Sequence, residues 1–353
     1  MALRVLLLTP RFYGIEKKIK SALEESDYEV TWIENKTLAL DYHGRNSKFK
    51  LLRRWYYLFA SPHKRYLKQE FKKIKNPAFD ILFSINAHVI CPYLLRKLKN
   101  ANRNIISVLY LWDSFSMYNW ENEIKLFNKV FTFDHNDAIE FQIDYKPIFF
   151  IKRDTPVDTE NDLLFVGKFS KDRLEVIDKI FSISGIDNLK FYVKLWPAYR
   201  IFLHSHLLYR VFKTIKIRNS WIDNYLLNFE VNEGKLKRKY LVTESINCDE
   251  VQNQMLRSNV ILDIPFRFQR GYTHRIIEAL ANGKKVITIN QEITKEDFYN
   301  PEQIHLLDRD NPQIDMAWIN RKSGFPVSRY FSEVELSQWL KSIINAGFAE
   351  SKS

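Results

Sequence analysis

The chain has 353 residues, a net charge of +12 and 46% hydrophobic residues, with only nine glycines and eleven prolines. This composition supports packed cores and excludes wholesale disorder, and at about 150 residues per domain the length predicts two domains. Two cysteines exclude a disulfide framework and a cysteine-based zinc site, and no apolar run reaches the ~18 residues of a membrane-spanning helix. The first apolar run is typical of a β-strand rather than of a signal peptide, so we expect a cytoplasmic protein.

Short apolar runs alternate with amphipathic stretches through the first 152 residues. The predicted strands are Val5–Leu8, Glu29–Ile33, Asp80–Ile85, Ile105–Leu111, Lys129–Phe133 and Pro147–Ile151, and the predicted helices are Ile15–Glu25, Pro92–Leu98, Glu123–Phe127 and Asn136–Gln142. Near-continuous apolar runs are typical of strands that are buried on both faces. The alternation predicts right-handed βαβ units around a parallel sheet, and hence one Rossmann-like domain over residues 1–152.

The alternation restarts after a polar stretch, residues 153–161, which is predicted to be a linker. A second Rossmann-like domain is predicted over 162–330, with a basic insertion at 196–240, and a C-terminal helix and tail follow at 331–353. Its predicted strands are Leu163–Val166, Leu189–Leu195, Val260–Ile264, Lys285–Ile289 and Ile304–Leu307, and the predicted helices are Asp172–Ser182, Asp249–Leu256, Thr273–Asn282 and Glu333–Ala346. The predicted fold class is α/β, with two Rossmann-like domains facing a central cleft where parallel sheets bind ligands.

Two basic, aromatic-rich segments hold the whole excess of positive charge. Residues 45–75 contain eleven Lys and Arg against one acid, and residues 190–218 contain seven and no acid. The predicted membrane- or acceptor-side residues of the first segment are Arg53, Arg54, Trp55, Lys64 and Arg65. Three interpretations fit this mixture of basic and aromatic residues: contact with an anionic membrane, binding of nucleic acid, or helices whose aromatic residues complete a core. Because no nucleic-acid-binding signature accompanies the charge, we expect a membrane surface and no nucleic acid as partner.

The stretch from Asp263 to Asn290 carries the most specific pattern in the chain. It predicts a strand, a glycine-containing loop, a helix, a second glycine and another strand. A helix N-terminus can hold an anion, and Arg270 and Arg275 add charge with phosphate-binding geometry. Glu278 lies one turn further along, where a carboxylate could accept hydrogen bonds from two ribose hydroxyls. The alternative is a capped helix whose arginines face water.

This stretch resembles the C-terminal domain of GT-B glycosyltransferases from bacterial surface-polysaccharide pathways, such as lipopolysaccharide or capsule biosynthesis. Residues 163–168 with 172–173 resemble the first strand and phosphate-facing loop of the same domain, and residues 109–114 with 130–137 resemble the first domain. The resemblance covers most of residues 1–310. It implies a nucleotide-sugar donor, with a UDP-sugar as first candidate, and neither a cofactor nor a bound metal.

The resemblance also implies roles for individual residues. Lys168, Arg173 and Arg275 would neutralise the donor diphosphate, the backbone of Gly271–Thr273 would donate to it, and Glu278 would hold the ribose. The implied donor-binding set is Gly167, Lys168, Arg173, Gln269, Gly271, Tyr272, Thr273, Arg275 and Glu278. Arg270 stands where retaining members of this fold carry the first glutamate of an E-x7-E motif, which slightly favours an inverting reaction.

An inverting transferase needs a general base beside the acceptor hydroxyl. Asp113 follows a predicted strand beside aromatic residues that could stack on a sugar, and His88 follows another predicted strand. A histidine titrates near neutral pH, which suits such a role. The alternatives are a helix N-cap for Asp113 and a hydrogen-bonded loop residue for His88.

The sequence thus predicts a cytoplasmic enzyme, peripheral at the inner face of the cytoplasmic membrane, which moves a sugar from a nucleotide-sugar donor to a lipid-linked or oligosaccharide acceptor in cell-envelope polysaccharide biosynthesis. One alternative is a sugar-nucleotide epimerase or hydrolase on the same fold, which would turn over the donor without an acceptor. Another is a non-catalytic basic protein that binds a membrane or nucleic acid, for which Arg275 and Glu278 would be dispensable.

Overall fold

A computed structural model describes most of the chain as two compact units. The described residues are 2–36, 62–152, 158–183, 186, 191–196, 206–214, 220–242, 246–267, 269–321 and 324–350. Unit 1 comprises Met1–Lys152, Phe268–Ile277 and Arg329–Ser353, and unit 2 comprises Arg153–Arg267 and Glu278–Ser328.

Unit 1 is built on a parallel sheet. Its strands within the described chain are β1 (Arg4–Thr9), β2 (Glu29–Glu34), β3 (Ile81–Ile85), β4 (Ile106–Leu111), β5 (Lys129–Thr132) and β6 (Asp144–Tyr145), in the order β2-β1-β3-β4-β5-β6. The connecting helices are α1 (Ile15–Glu24), α2 (Pro62–Phe71), α3 (Pro92–Ala101) and α4 (His135–Phe141), with a 3-10 turn at Ile124–Leu126. Every residue of β3 and β4 is buried, as their apolar runs predict for central strands.

Unit 2 contains a second parallel sheet. Its described strands are β7 (Asn161–Lys168), β8 (Phe191–Trp196), β9 (Ser258–Asp263), β10 (Lys285–Thr288) and β11 (Ile304–Leu306), in the order β11-β10-β9-β7-β8. Its helices are α5 (Lys171–Phe181), α6 (His206–Thr214), α7 (Ser220–Asn232), α8 (Cys248–Leu256), α9 (His274–Ala281) and α10 (Met316–Asn320), of which α9 begins in unit 1 and ends in unit 2. A 3-10 turn at Gln291–Lys295 lies in unit 2, and another at Arg329–Glu333 precedes the C-terminal helix in unit 1.

The C-terminal helix α11 (Leu336–Glu350) returns to unit 1 and completes its core. Trp339 is fully buried and its indole N–H donates to the carbonyl of Pro147 at 2.8 Å. A Cβ on Gly347 would stand 2.5 Å from a methyl carbon of Val108, so a glycine is needed where the helix crosses β4. Tertiary packing therefore places this last helix in the core of unit 1.

The structure corrects two predicted elements of the first half. The predicted strand Pro147–Ile151 is reduced to an isolated bridge between Phe150 and Glu335, because this segment pairs with the turn before α11 rather than with the sheet. The predicted helix Glu123–Phe127 is only a 3-10 turn, which is too short to bury an apolar face.

The described part of the basic insertion contains α6 and α7, which pack through their own aromatic core of Tyr209, Phe212, Tyr225 and Phe229.

Candidate functional site

Asp113 lies directly beyond the carboxyl end of β4 in unit 1. Its side chain is half-buried, and its Oδ2 accepts a hydrogen bond of 2.7 Å from Nδ2 of Asn86, which follows the neighbouring strand β3. Asp113 is not the N-cap of any described helix. The next α-helix along the chain, α4, is capped by Asp134 instead. A carboxylate held by an uncharged amide at a sheet edge, where open parallel sheets bind ligands, can accept a proton from a substrate hydroxyl.

His88, the other predicted base, is 5% exposed and lies among aromatic rings. Its ring centroid is 4.9 Å from that of Tyr118 and 5.0 Å from that of Trp120, both in edge-on arrangements. The structure brings His88 and Asp113 to the same edge of the sheet, since they follow the adjacent strands β3 and β4. The half-buried Asp113 is the more accessible of the two groups.

Aromatic side chains form a half-buried surface next to Asp113. The rings of Phe12 and Trp112 are 5.6 Å apart and inclined by 53°, and Tyr13 packs edge-on against Phe12 at 4.9 Å. Phe12 and Tyr13 lie in the loop after β1, where buried Glu16 accepts a hydrogen bond from the N–H of Phe12. Such rings offer the apolar faces on which a sugar can stack, and the neighbouring carboxylate can bind its hydroxyls.

Two further carboxylates hold the loop that follows Asp113. Asp134 caps α4 through the N–H groups of Asn136 and Asp137, and its other oxygen accepts from the hydroxyl of Ser114 at 2.8 Å. Asp137 accepts from the N–H of Phe115 at 2.9 Å. Burial raises the pKa of Asp137 from 3.8 to about 6, although the Phe115 hydrogen bond opposes this shift. Neither carboxylate is in the predicted catalytic set, although both lie in the stretch 130–137 that resembles the first domain of the family.

The raised pKa of Asp137 makes stability depend on pH. Between about pH 4 and pH 6 the folded protein binds this proton more tightly than the unfolded chain does, so stability falls as pH rises through this window. We expect Asp137→Asn, which keeps an acceptor for Phe115, to flatten this dependence and to raise the free energy of unfolding at pH 7.5 by about 1–3 kcal/mol. Urea unfolding across this range measures it, with the exposed Glu25→Gln as control. A variant with the wild-type slope would contradict the expectation.

The loop before α9 carries the most specific part of the predicted donor set, and it clusters with unit 1. A Cβ on Gly271 would stand 2.5 Å from the ring of Phe133, which explains the glycine by close packing. Tyr272 is buried, whereas Gln269, Thr273 and Arg275 are half-buried. The carbonyl of Thr273 accepts from the N–H groups of Ile276 and Ile277, so that α9 starts immediately after it.

His274 opens α9 and was not singled out from the sequence. Its ring stands edge-on to Phe149 at 5.0 Å and to Trp112 at 6.1 Å, and the described residues offer no hydrogen-bond partner to its buried Nε2. Burial lowers the pKa of His274 to about 4, although a backbone hydrogen bond with Phe149 opposes this shift. The imidazole is therefore neutral at physiological pH, and it packs behind Trp112 on the aromatic surface.

Arg173, a predicted phosphate ligand, is buried in unit 2 and holds its backbone. Its Nε donates to the carbonyl of Ile264 at 2.7 Å, its Nη1 donates to the carbonyl of Lys168 at 3.0 Å, and its guanidinium stacks 3.9 Å from the ring centroid of Phe266. A Cβ on Gly167 would crowd Phe165 and approach Arg173. Arg173 thus has a structural function whether or not a donor binds, and the half-buried Lys168 presents the more accessible cation.

An ion-pair cluster that the sequence did not predict lies beside α5. Asp172, in the first turn of that helix, pairs with Arg309 and with Arg267, and Arg309 also donates to the carbonyl of Pro265. Arg309 belongs to the Asp308-Arg-Asp310 sequence, which follows β11.

Glu278, the predicted ribose ligand, is 7% exposed on the second half of α9. Its Oε1 accepts a hydrogen bond of 2.7 Å from Nε2 of Gln252 on α8. A carboxylate fixed in this way keeps a defined orientation. Gln252 has no counterpart in the predicted site, because its 26-residue separation from Glu278 leaves no local signal.

The structure describes two of the five predicted membrane-side residues. Lys64 and Arg65 are exposed on α2, whereas Arg53, Arg54 and Trp55 lie outside the described residues. In the basic insertion, exposed cations follow α7 at Lys235, Lys237 and Lys239. Among the described helices none is long and apolar enough to cross a bilayer, and within the same residues no three His, Cys, Asp or Glu side chains form a metal-binding group.

Comparison with known proteins gives a likeness of fold. No family model matches the chain, and no curated protein matches it by sequence. The apo structure of OtsA superposes with a TM-score of 0.54 at 13% identity, covering 98% of this chain and 99% of that one. MurG of Acinetobacter baumannii (TM-score 0.37, 11% identity, 81% of this chain and 78% of that one) and the calicheamicin glycosyltransferase CalG4 (0.35, 8%, 100% and 92%) are more distant. Together with the two parallel sheets, the likeness to OtsA confirms the predicted α/β fold class, with two Rossmann-like domains of the GT-B kind.

Proposed function

We propose that this protein is a glycosyltransferase that moves a sugar from a nucleotide-sugar donor to a glycan or lipid-linked acceptor of the cell envelope. Asp113 carries this proposal: an oriented carboxylate lies at the carboxyl edge of a parallel sheet, next to the half-buried rings of Phe12 and Trp112. This combination suits sugar transfer, since the carboxylate can take a hydroxyl proton while the aromatic faces hold the sugar. The acceptor is therefore assigned to unit 1.

We assign the donor to unit 2, which contains β7 and the second half of α9. Glu278 is buried and oriented by Gln252, which suits a bidentate contact with the two ribose hydroxyls. The half-buried Lys168 supplies positive charge for the diphosphate. The resemblance implies the same role for Arg275, and backbone N–H donors at Gly271–Thr273, where α9 starts. These side-chain cations can stabilise the departing diphosphate, so the proposed reaction needs no metal or further cofactor.

The proposed reaction is a single displacement with inversion at the anomeric carbon. The acceptor hydroxyl oxygen forms a bond to that carbon as the bond from the carbon to the diphosphate oxygen breaks. Asp113 takes the hydroxyl proton, and the nucleoside diphosphate of a UDP-, GDP- or dTDP-sugar leaves with the bonding electron pair; a CMP-sugar would release CMP in the same way. A general base of this kind raises the reaction rate about 10²–10⁴-fold.

A thermal-shift panel of UDP-, GDP-, dTDP- and CMP-sugars tests this function. At a donor concentration of about 100 Kd, binding adds about 2.7 kcal/mol of stability, which raises Tm by several degrees. The donor that binds is then incubated with and without a bacterial envelope extract as acceptor source. Transfer that depends on the extract supports the proposal. Turnover of the donor alone would point to an epimerase or hydrolase, and the absence of any shift would leave a non-catalytic binding protein.

We also propose that the enzyme works at the cytoplasmic face of an anionic membrane. Exposed Lys235, Lys237 and Lys239 occur within five residues, and Lys64 and Arg65 are exposed on α2. Each basic residue near an anionic surface contributes about 1 kcal/mol. A lipid-linked acceptor would be encountered at that surface.

Vesicle co-sedimentation measures this contact. At low salt we expect vesicles containing phosphatidylglycerol to retain the protein, while phosphatidylcholine vesicles do not. Replacing Lys235, Lys237 and Lys239 together by Gln should weaken retention about 100-fold, given about 1 kcal/mol for each charge. The matched control replaces the exposed Lys17, Lys99 and Lys295, which lie outside this cluster. Equal weakening by both triple variants would mean that retention depends on net charge and not on this cluster.

A further inference from the structure

We propose that Asn86 is the positioning residue for the carboxylate of Asp113, and this inference rests on the proposed transferase function. Asn86 follows β3 with a φ of +57°, in the left-handed region. Asparagine is one of the few residues other than glycine that adopts this conformation readily. The turn directs the amide of Asn86 toward β4, where its Nδ2 donates to Oδ2 of Asp113 and its Oδ1 accepts from the N–H of Trp112 at 3.2 Å.

The backbone of Asn86 is itself fixed on both sides. Its N–H donates to the carbonyl of Tyr110 at 2.8 Å, which ties the turn to β4. Its carbonyl accepts from the hydroxyl of Ser84 at 2.6 Å and from the amide of Asn35 at 2.8 Å. Since both backbone polar groups and both side-chain polar atoms are used, Asn86 has one orientation in the described structure.

Asn35 forms a second layer behind Asn86. It follows β2, is completely buried, and donates also to the carbonyl of Ile85 at 2.7 Å while accepting from the N–H of Val89 at 2.9 Å. Buried amides that meet several backbone partners are costly to disturb and rigidify their surroundings. The chain from Asn35 through Asn86 to Asp113 therefore links three strand ends, β2, β3 and β4, to a single carboxylate.

An amide suits this position because it carries no charge. A lysine or arginine would form an ion pair with Asp113 and reduce its basicity, and a second carboxylate would oppose its ionisation. The uncharged N–H of Asn86 orients one oxygen of Asp113 without either effect. Asn86 is thus predicted to affect catalysis through Asp113 and not through contact with the substrate.

Two variants test this role with the full-length protein. Asn86→Gly keeps the left-handed turn and removes the donor, and Asn86→Asp keeps the shape and replaces the donor by a carboxylate. We expect both to lower kcat about 10–100-fold, as for a small misplacement of a reacting group, while the KM for the donor stays within about twofold. The matched control is Gln142→Glu, an exposed residue that also has a left-handed φ of +53°.

The pH dependence distinguishes positioning from a general structural effect. In Asn86→Asp the acid limb of the rate profile should move up by about one unit or more, because two adjacent carboxyl groups resist joint ionisation. ¹³C NMR of aspartate-labelled protein, with the Asp113 signal assigned by Asp113→Asn, follows the same titration without any substrate. An unchanged titration of Asp113 in folded Asn86→Asp would overturn the proposal. If no UDP-, GDP-, dTDP- or CMP-sugar is turned over, the transferase function fails, and the NMR titration still decides whether Asn86 controls Asp113.

Discussion

Replacing Asp113 by Asn is expected to lower kcat for sugar transfer by about 10²–10⁴-fold, because the acceptor hydroxyl then lacks a group that takes its proton. The substitution keeps the size of the side chain and leaves an oxygen that can still accept from Asn86, so the fold should be retained. Donor affinity should also be retained, since the proposed donor ligands are other residues. The measurement is steady-state release of the nucleotide from the donor that gives the largest thermal shift.

His88→Gln serves as the comparison for this experiment. His88 lies within van der Waals range of aromatic neighbours rather than on the half-buried aromatic surface, so its replacement should reduce stability more than kcat. If Asp113→Asn keeps more than about a tenth of the wild-type kcat while His88→Gln loses the activity, the two assignments must be exchanged. Mutant effects on kcat alone and on kcat/KM separate loss of a transition-state contact from loss of substrate binding.

Replacing Glu278 by Ala is expected to weaken donor binding about 10–100-fold, the usual loss for hydrogen bonds to a charged group. At about 100 times the wild-type Kd, the stability that the best nucleotide sugar adds should therefore fall from about 2.7 kcal/mol to about 0.4–1.4 kcal/mol, and the thermal shift should fall in proportion. The unliganded variant should also lose about 1–3 kcal/mol of stability, because the amide of the buried Gln252 loses its acceptor on Glu278.

Two controls separate these effects. Glu292→Ala removes a carboxylate from a surface pair with Lys295 in the same unit, and should leave the donor-induced shift unchanged. Free nucleoside diphosphate, which has the same ribose, should show the same loss in Glu278→Ala as the full donor. A variant that is less stable but binds both ligands with wild-type affinity would make Glu278 a purely structural residue.

The elements of the fold were predictable because their signals are local. The strands β1, β3, β4, β7 and β9 are short runs of Val, Ile, Leu and Phe that must be buried on both faces, and alternation with helices implies parallel connections. Asp113 could be predicted as a candidate because it directly follows such a run. The failed strand at Pro147–Ile151 shows the limit, since its apolar residues meet α11 from the other end of the chain.

The composition of the site was less predictable because its contacts are not local. Asn86 and Asp113 are 27 residues apart and meet only because β3 and β4 are neighbours in the sheet. A polar residue directly after an apolar run was the one available signal for Asn86. Asp137 and His274 owe their shifted pKa values to burial, which residue type does not reveal.

The sequence by itself determined the class of fold, the pattern of strands and the residue types from which a sugar-transfer site could be built, because periodicity and residue chemistry act over a few neighbouring positions. Only the tertiary structure decided how those residues are used. It turned Arg173 toward backbone carbonyls, supported Glu278 with Gln252, and fixed Asp113 through Asn86 and Asn35. The physical reason is that hydrogen-bond partners and burial depend on which strands and helices become neighbours, and this is a property of the folded chain.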